Sequence, residues 1–189
     1  MRKLVVTEYV TLDGVMEAPG GETSLGSRGG WSFLFSNEEA TKFKFAELFA
    51  SDTLLLGRVT YEIFAATWPS RTGEFADRIN SLPKYIVSRT LQKPEWQNSH
   101  LIQGNVLEQL STLKQQPGQN LLVYGSAELV HTLMQHDLID EYRLMVFPLV
   151  LGIGKRLFKD GSSATLKLVE TQTFGSGVVV LIYHPARKE

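Results

Sequence analysis

Apolar and polar positions along this chain change period several times, and each change marks an element. Residues 3–10 (Lys-Leu-Val-Val-Thr-Glu-Tyr-Val) are rich in β-branched side chains, the composition of a strand. Residues 13–30 hold Asp13-Gly14, Pro19-Gly20-Gly21 and Gly29-Gly30, which predicts a long loop. Loops of that length inside a compact domain are more often functional than idle. Ser36-Asn37-Glu38-Glu39 reads as a capping box, with Ser36 as N-cap and Glu39 reaching back. The helix it opens runs to about residue 50, with Ala40, Phe43, Ala46 and Phe49 at helical spacing.

A strand over 53–57, a helix over 58–66, a loop at Trp68-Pro69 and a short helix near 73–80 follow. Strand 84–88 comes next, then a weaker one near 99–102. Asn105 is placed to cap a helix whose Val106, Leu110 and Leu113 share one face, and Pro117-Gly118 ends it. Strand 120–124 and helix 126–135 repeat the unit. Beyond residue 135 the pattern turns strand-rich: 140–148, 165–173 and, after a Gly175-Ser176-Gly177 hairpin turn, 178–184. Alternating β and α elements followed by strands predict an α/β fold in one domain over residues 1–189. Its mainly parallel sheet should be covered by helices, with antiparallel strands added at the end.

The ends of three of these strands carry a common chemistry. Leu54-Leu-Leu-Gly-Arg-Val-Thr-Tyr61 stops an apolar run at Gly57 and opens a helix with a basic residue and a hydroxyl. Without a side chain at position 57 a ligand can approach the backbone closely, and a helix N-terminus suits an anion. Arg58 and Thr60 add a guanidinium and a hydroxyl. Read alone, the segment is equally a strand-to-helix turn with a solvated arginine. Leu121-Leu-Val-Tyr-Gly-Ser-Ala127 repeats the design, with Gly125 and a capping hydroxyl on Ser126, and Lys84-Tyr-Ile-Val-Ser-Arg-Thr90 ends its strand in Ser88 and Arg89. Ligands of open α/β sheets sit at carboxyl ends of strands, so three such ends suggest a dinucleotide with several phosphates.

Composition narrows the rest. A formal net charge of −1 gives no reason to expect general binding to nucleic acid or an anionic membrane, and 43% hydrophobic content describes an ordinary globule. Cysteine is absent, which removes disulfides, thiolate zinc sites and a cysteine nucleophile. His100, His131, His136 and His184 lack metal-ligand spacing, so no metal is expected. No G-x-S-x-G elbow occurs, and Gly152-Ile-Gly154-Lys155 lacks the Walker spacing. With neither an apolar run of membrane-spanning length nor a signal h-region after Met1-Arg2-Lys3, a cytoplasmic location is the expectation.

In order and spacing, five segments together resemble the dihydrofolate reductase superfamily, in particular the bacterial branch related to the reductase domain of riboflavin biosynthesis. They are Thr11-Leu-Asp-Gly-Val-Met16, Leu56-Gly-Arg-Val-Thr-Tyr61, Leu82-Pro-Lys-Tyr-Ile-Val-Ser-Arg89, Val123-Tyr-Gly-Ser-Ala127 and Pro148-Leu-Val-Leu-Gly-Ile-Gly154. The resemblance implies a three-layer α/β/α fold and an NADPH-dependent reductase of a small heterocycle, such as a pteridine or aminopyrimidine. By the same carry-over Gly57, Arg58 and Thr60 hold cofactor phosphates, and Ser88 and Arg89 flank the adenosine 2′-phosphate. Gly125, Ser126 and Ala127 contact the pyrophosphate. Tyr9, Val10 and Met16 lie near the nicotinamide and a loop that moves over it.

Two departures bear on the acceptor. Dihydrofolate reductases carry an acid on the first helix, and an ungapped count back from Gly57 reaches Thr41 instead, with Glu38 and Glu39 nearby. The riboflavin-pathway reductase carries a lysine at the position that here is Thr7. The catalytic candidates are therefore Asp13, which could equally just bind turn N–H groups, and Glu39, which already has a capping explanation. Trp31, Phe33 and Phe35 could wall a flat ring or simply seat the loop. Lys155 and Arg156 could hold a substrate phosphate or serve solvation. The rival expectation is a nucleotide-binding or regulatory module that kept the fold without the chemistry. Met145, Val146, Phe147, Leu149 and Val150 form a nearly continuous apolar run, which with the resemblance predicts a homodimer.

Overall fold

The computed structural model describes residues 1–186, and its centre is a strand that the sequence makes apolar on both faces. Leu4–Thr11 (β1) is buried along almost its whole length and is paired in parallel on both sides. The other strands are β2 (Ser51–Gly57), β3 (Lys84–Val87), β4 (Ser99–Ile102), β5 (Asn120–Tyr124), β6 (Glu141–Phe147), β7 (Leu166–Thr173) and β8 (Val179–Pro185). They form one eight-stranded sheet in the order β4-β3-β2-β5-β1-β6-β8-β7. The first six positions are parallel; β8 runs antiparallel to β6 and to β7. This is the mixed, mainly parallel α/β/α architecture with a C-terminal antiparallel hairpin that the sequence implies.

Side chains alternate between two cores, as the pleat requires. Leu121 and Val123 of β5 face one side, against Leu110 and Leu113 of α4 (Val106–Gln115) and Leu129, Val130 and Leu133 of α5 (Ala127–Gln135). Leu122 and Tyr124 face the other, with Leu48 of α1 (Glu38–Phe49), Tyr61 of α2 (Arg58–Thr67) and Ile79 of α3 (Glu74–Ser81). A third cluster lies over β6 and β8, where Trp31, Met145, Phe147, Phe174, Val178 and Val180 are buried. Its hub is Phe147, with the rings of Tyr9, Trp31 and Phe35 centred 5.0, 5.1 and 5.9 Å away. Trp31 and Phe35 bound a 3₁₀ turn, Trp31–Phe35, and the Trp31 indole donates to the Glu17 carbonyl at 2.9 Å. The long 13–30 segment is thus seated on the sheet through its last residues.

Four local expectations need correcting. The N-cap of α1 is Asn37, not Ser36: its Oδ1 accepts from the Ala40 N–H at 2.8 Å. Glu39 reaches away from that helix end, and its Oε2 accepts from the Gly175 N–H at 2.7 Å, tying α1 to the β7–β8 turn. The inward face of α1 is Lys44, Glu47 and Leu48, while Ala46 and Phe49 are exposed, because a buried ion pair replaces apolar residues on the stripe. Ser126 adopts φ +66°, its side chain caps nothing on α5, and its hydroxyl is used elsewhere. Finally, the apolar run 145–150 is not a bare edge. β6 lies between β1 and β8, so Met145 and Phe147 are buried within the chain, and the exposed edge strand is β7.

Candidate active site

The carboxyl ends of the parallel strands bring the expected segments side by side. Across the sheet, Ser88 follows β3, Gly57 ends β2, Gly125 follows β5 and Thr11 ends β1. The chain leaves β1 for β2 on one side, and β5 crosses over β1 to β6 on the other. The crevice between β1 and β5 is therefore a topological switch point, where α/β sheets take ligands.

Two turns are welded together at this edge. The Gly57 N–H donates to Ser126 Oγ at 2.9 Å, and Ser126 Oγ in turn donates to the Tyr124 carbonyl at 3.0 Å. The Ser126 N–H donates to Thr60 Oγ1 at 2.9 Å. The left-handed Gly125 (φ +54°) allows this approach, since a Cβ there would stand 3.0 Å from Thr60 Oγ1. No side chain caps α2 or α5, so both helices present their opening N–H groups toward the same edge. Thr60 accepts through its oxygen, which leaves its hydroxyl proton to donate.

The basic residues around these turns differ in commitment. Arg58 pairs with Glu62 one turn along α2, at 3.1 Å and largely in solvent. Ser88 is buried and its Oγ accepts from the Thr90 and Leu91 N–H groups at 3.1 and 3.0 Å, shaping the loop that holds Arg89. Arg89 itself is exposed and has no ion-pair partner among the described residues.

At the exit of β1, Tyr9 faces the α1 side and Val10 and Met16 face the α5 side. Met16 is pinned through its own N–H to the Lys155 carbonyl at 2.8 Å. Asp13 takes hydrogen bonds from the Thr11 hydroxyl (2.5 Å), the Leu151 N–H (3.2 Å) and the Gly152 N–H (2.8 Å). The Thr11 hydroxyl, helped by those N–H groups, lowers its pKa to about 2. Its carboxylate thus fastens the 148–154 segment to the β1 exit. Lys155 and Arg156 are exposed beside it.

The structure also assembles a group that sequence reasoning passed over. Lys44 Nζ lies 2.6 Å from Glu47 Oε2 and donates to Thr7 Oγ1 at 2.9 Å; the Thr7 hydroxyl donates to Glu47 Oε1 at 2.8 Å, closing a ring. The ammonium also sits 5.2 Å from the centre of the Tyr9 ring and 4.7 Å from that of Tyr124, within cation–π range. Arg143 of β6 approaches Glu47 at 3.9 Å. Thr7, Glu8, Lys44, Glu47 and Tyr124 are all buried. Burial pushes the Glu8 carboxyl well above the usual carboxylate range, against a smaller opposing pull from Lys44. Burial likewise raises the Tyr124 and Tyr9 phenols, with Glu47 adding to the Tyr124 shift. The signal available in the sequence was an acid inside a β-branched strand (Glu8) and an i,i+3 Lys–Glu pair on a helix otherwise apolar on that side. Position 7 lacks the lysine that the resemblance implies, yet Lys44 brings an ammonium to the Thr7 hydroxyl from the neighbouring helix. Thr41 is exposed.

Comparison with known proteins agrees with this architecture. The family described as the RibD C-terminal domain matches residues 2–180. A Bacillus subtilis (strain 168) protein described as uncharacterized, YyaP, is 34% identical over 97% of this chain and 95% of its own. Among solved structures, a Shewanella sp. PV-4 protein provisionally assigned to riboflavin biosynthesis superposes with TM-score 0.78 at 22% identity, over 98% of this chain and 99% of that one. Dihydrofolate reductase from Enterococcus faecalis, solved in complex with NADP(H) and RAB-propyl, superposes with TM-score 0.64 at 13% identity, over 98% and 97%. The chain belongs to the RibD C-terminal domain family.

Proposed function

We propose that this family member is an NADPH-dependent reductase that transfers hydride to a flat nitrogen heterocycle, a pteridine or an aminopyrimidine. The observation that carries the reading is the pair of welded turns at the switch point, with two helix N-termini free of capping side chains. Such a pair suits a pyrophosphate, because backbone N–H groups and helix dipoles both favour negative charge there. The family to which the chain belongs, and the complex of a structural neighbour with NADP(H), support a nicotinamide cofactor rather than an isolated phosphate.

In this reading the N–H groups opening α2 and α5, the Thr60 hydroxyl and Arg58 would hold the pyrophosphate, around Gly57, Gly125, Ser126 and Ala127. Ser88 and Arg89 would take the adenosine 2′-phosphate. Tyr9, Val10 and Met16 would line the nicotinamide pocket. Bound NADPH supplies the hydride. The chain's own part is to align the acceptor against the β1–β5 crevice and keep water from it, with Trp31 and Phe35 behind Phe147 and the Lys44–Glu47–Thr7 ring fixing polar edges.

Absorbance assays of NADPH oxidation with dihydrofolate, dihydropterins and aminouracil sugar phosphates test the class. Turnover of one of them is expected. Tight NADPH binding without turnover of any would leave the alternative, a nucleotide-binding or regulatory module. We also propose a homodimer joined through β7, which is exposed along nearly its whole length and carries Leu168 and Val169 half in solvent. Light scattering near the 21.2 kDa chain mass would end that proposal.

A further inference from the structure

We propose that His131 is a positioning residue of this site, tying the helix assigned to the pyrophosphate to the loop that carries Met16. The inference rests on the reductase reading above and adds to it the means by which the two ends of the site keep their spacing. His131 lies one turn into α5 and is buried. Its Nε2 meets the Leu157 carbonyl at 2.7 Å. A carbonyl only accepts, so Nε2 carries the hydrogen whether the ring is neutral or charged, and the tether holds in both states. The other ring nitrogen, Nδ1, is buried without a hydrogen-bond partner; Glu128 Oε2 stands 3.9 Å from it on a side chain largely in solvent.

Leu157 ends a pair of segments zipped to one another. The Leu12 N–H donates to the Leu149 carbonyl at 2.9 Å and the Met16 N–H to the Lys155 carbonyl at 2.8 Å. The Leu157 N–H returns to the Gly14 carbonyl at 3.0 Å, and Val15 and Arg156 form an antiparallel bridge between these bonds. The Lys155 N–H donates to Glu17 Oε2 at 2.8 Å, and Asp13 accepts from the Leu151 and Gly152 N–H groups. Gly154 (φ +107°) lets the two backbones close, because a Cβ there would stand 2.9 Å from Val15 Cγ1. Residues 12–17 and 149–157 therefore form one clasp rather than a free loop. Met16 cannot shift without Lys155 and Leu157, and it is the main chain of Lys155 and Arg156, not their exposed charges, that makes the pairing.

The clasp meets α5 in two ways. Met16 and Leu157 share an apolar cluster with Leu129 and Val130, which keeps the surfaces together. Apolar attraction has no direction, so by itself it lets them slide. The His131–Leu157 bond is the one hydrogen bond between α5 and residues 148–157 among the described residues, and it fixes direction and register. Lys159 reaches Glu128 at 3.6 Å just beyond, but that pair lies half or more in solvent and holds little. From the opening N–H groups of α5 to Met16 the path is thus the helix, one buried side chain and the paired backbones. Hydride transfer needs close alignment of donor and acceptor, and misplacement by about 1 Å costs on the order of a hundredfold. His131 serves that alignment by making the position of Met16 follow that of α5.

His131→Leu, His131→Gln and His131→Asn separate a tether from simple packing. The Gln amide nitrogen reaches the place of Nε2 and keeps a donor there; Asn falls short of it. Without ligand, the Met16 and Leu157 N–H groups should exchange with solvent about tenfold faster in the Leu and Asn variants, and near the wild-type rate in Gln. Amides of the β1–β5 ladder should be unchanged in all three, which NMR reads residue by residue. Adding 2′,5′-ADP, which has no nicotinamide to touch Met16, should slow exchange at Met16 and Leu157 in wild type and not in His131→Leu. With dihydrofolate or aminouracil sugar phosphates, the Leu and Asn variants should lose kcat by about ten- to hundredfold while binding NADPH within about threefold of wild type. His131→Gln should recover most of that loss, and the Gln and Asn variants carry the comparison if His131→Leu does not fold. Leu and Asn variants that exchange and turn over like wild type, or a Gln variant as impaired as Leu, overturn the assignment and leave the reductase reading standing. A wild type that turns over none of these acceptors counts against the reductase reading instead, and the ligand-free exchange rates then decide the tether alone.

Discussion

The two halves of the crevice are built from different materials. On the β2–β5 side the site is mostly backbone: Gly57, Gly125 and the first N–H groups of α2 and α5, held by the Ser126 and Thr60 hydroxyls. On the β1–α1 side it is side chain: Lys44, Glu47, Thr7 and Tyr124, gathered from two strands and a helix and buried together. A backbone site tolerates variety in its side chains but needs its glycine and its turn. A buried charged site is the reverse. Its members depend on one another, because removing one leaves another desolvated and unpaired.

That contrast can be tested most severely at Lys44. Lys44→Met should destabilise the protein by about 3–5 kcal/mol, since Glu47 is left as a buried unpaired charge. Adding Glu47→Leu should recover most of that loss. Urea denaturation of the two variants checks both, and simple additivity would show that the pair is not coupled. On the backbone side a comparable change should leave stability alone and act on binding. Arg89 is exposed and without an ion-pair partner among the described residues, so Arg89→Ala should weaken NADPH binding by roughly 1.5–3 kcal/mol. It should leave NADH nearly unchanged. Arg58→Ala should do less, because its guanidinium is already shared with Glu62. Fluorescence titration with both nucleotides reads the difference, and equal losses for NADH and NADPH would misplace the 2′-phosphate.

The smallest effect belongs to Asp13, which joins the β1 exit to the 148–154 segment. Its folded pKa, about 2, lies below the ordinary 3.8, so the folded state binds fewer protons than the unfolded chain between those values. The stability it contributes is present above the unfolded value and is lost as pH falls through the folded one. Thermal melts of wild type and Asp13→Asn should converge over that acid range and differ modestly above it. An Asp13→Asn melt parallel to wild type throughout would show that its hydrogen bonds are replaced.

The sequence was enough for what short-range physics dictates. Strand and helix order followed from changes of period, and the β2–α2 and β5–α5 units followed from glycine at the strand ends. The hairpin turn at Gly175–Gly177 followed from its composition. Where two polar residues competed for one local task the sequence could not choose. Asn37 took the cap that Ser36 could also have made, because Glu39 was drawn to the Gly175 N–H, a partner 136 residues away. The stripe on α1 was misjudged for a related reason. Ala46 and Phe49 fit the period, but the helix turns Lys44 and Glu47 inward because Thr7, Tyr9 and Tyr124 wait beneath it. Burial, unlike period, belongs to neighbours that come from elsewhere in the chain. The sequence by itself therefore determined the order of elements, the glycine turns and the family. Only the tertiary structure decided that Glu8 would be buried without an ion-pair partner among the described residues and that Lys44 would be the cation beside Thr7. Both outcomes depend on distances between strands and helices that no local pattern encodes.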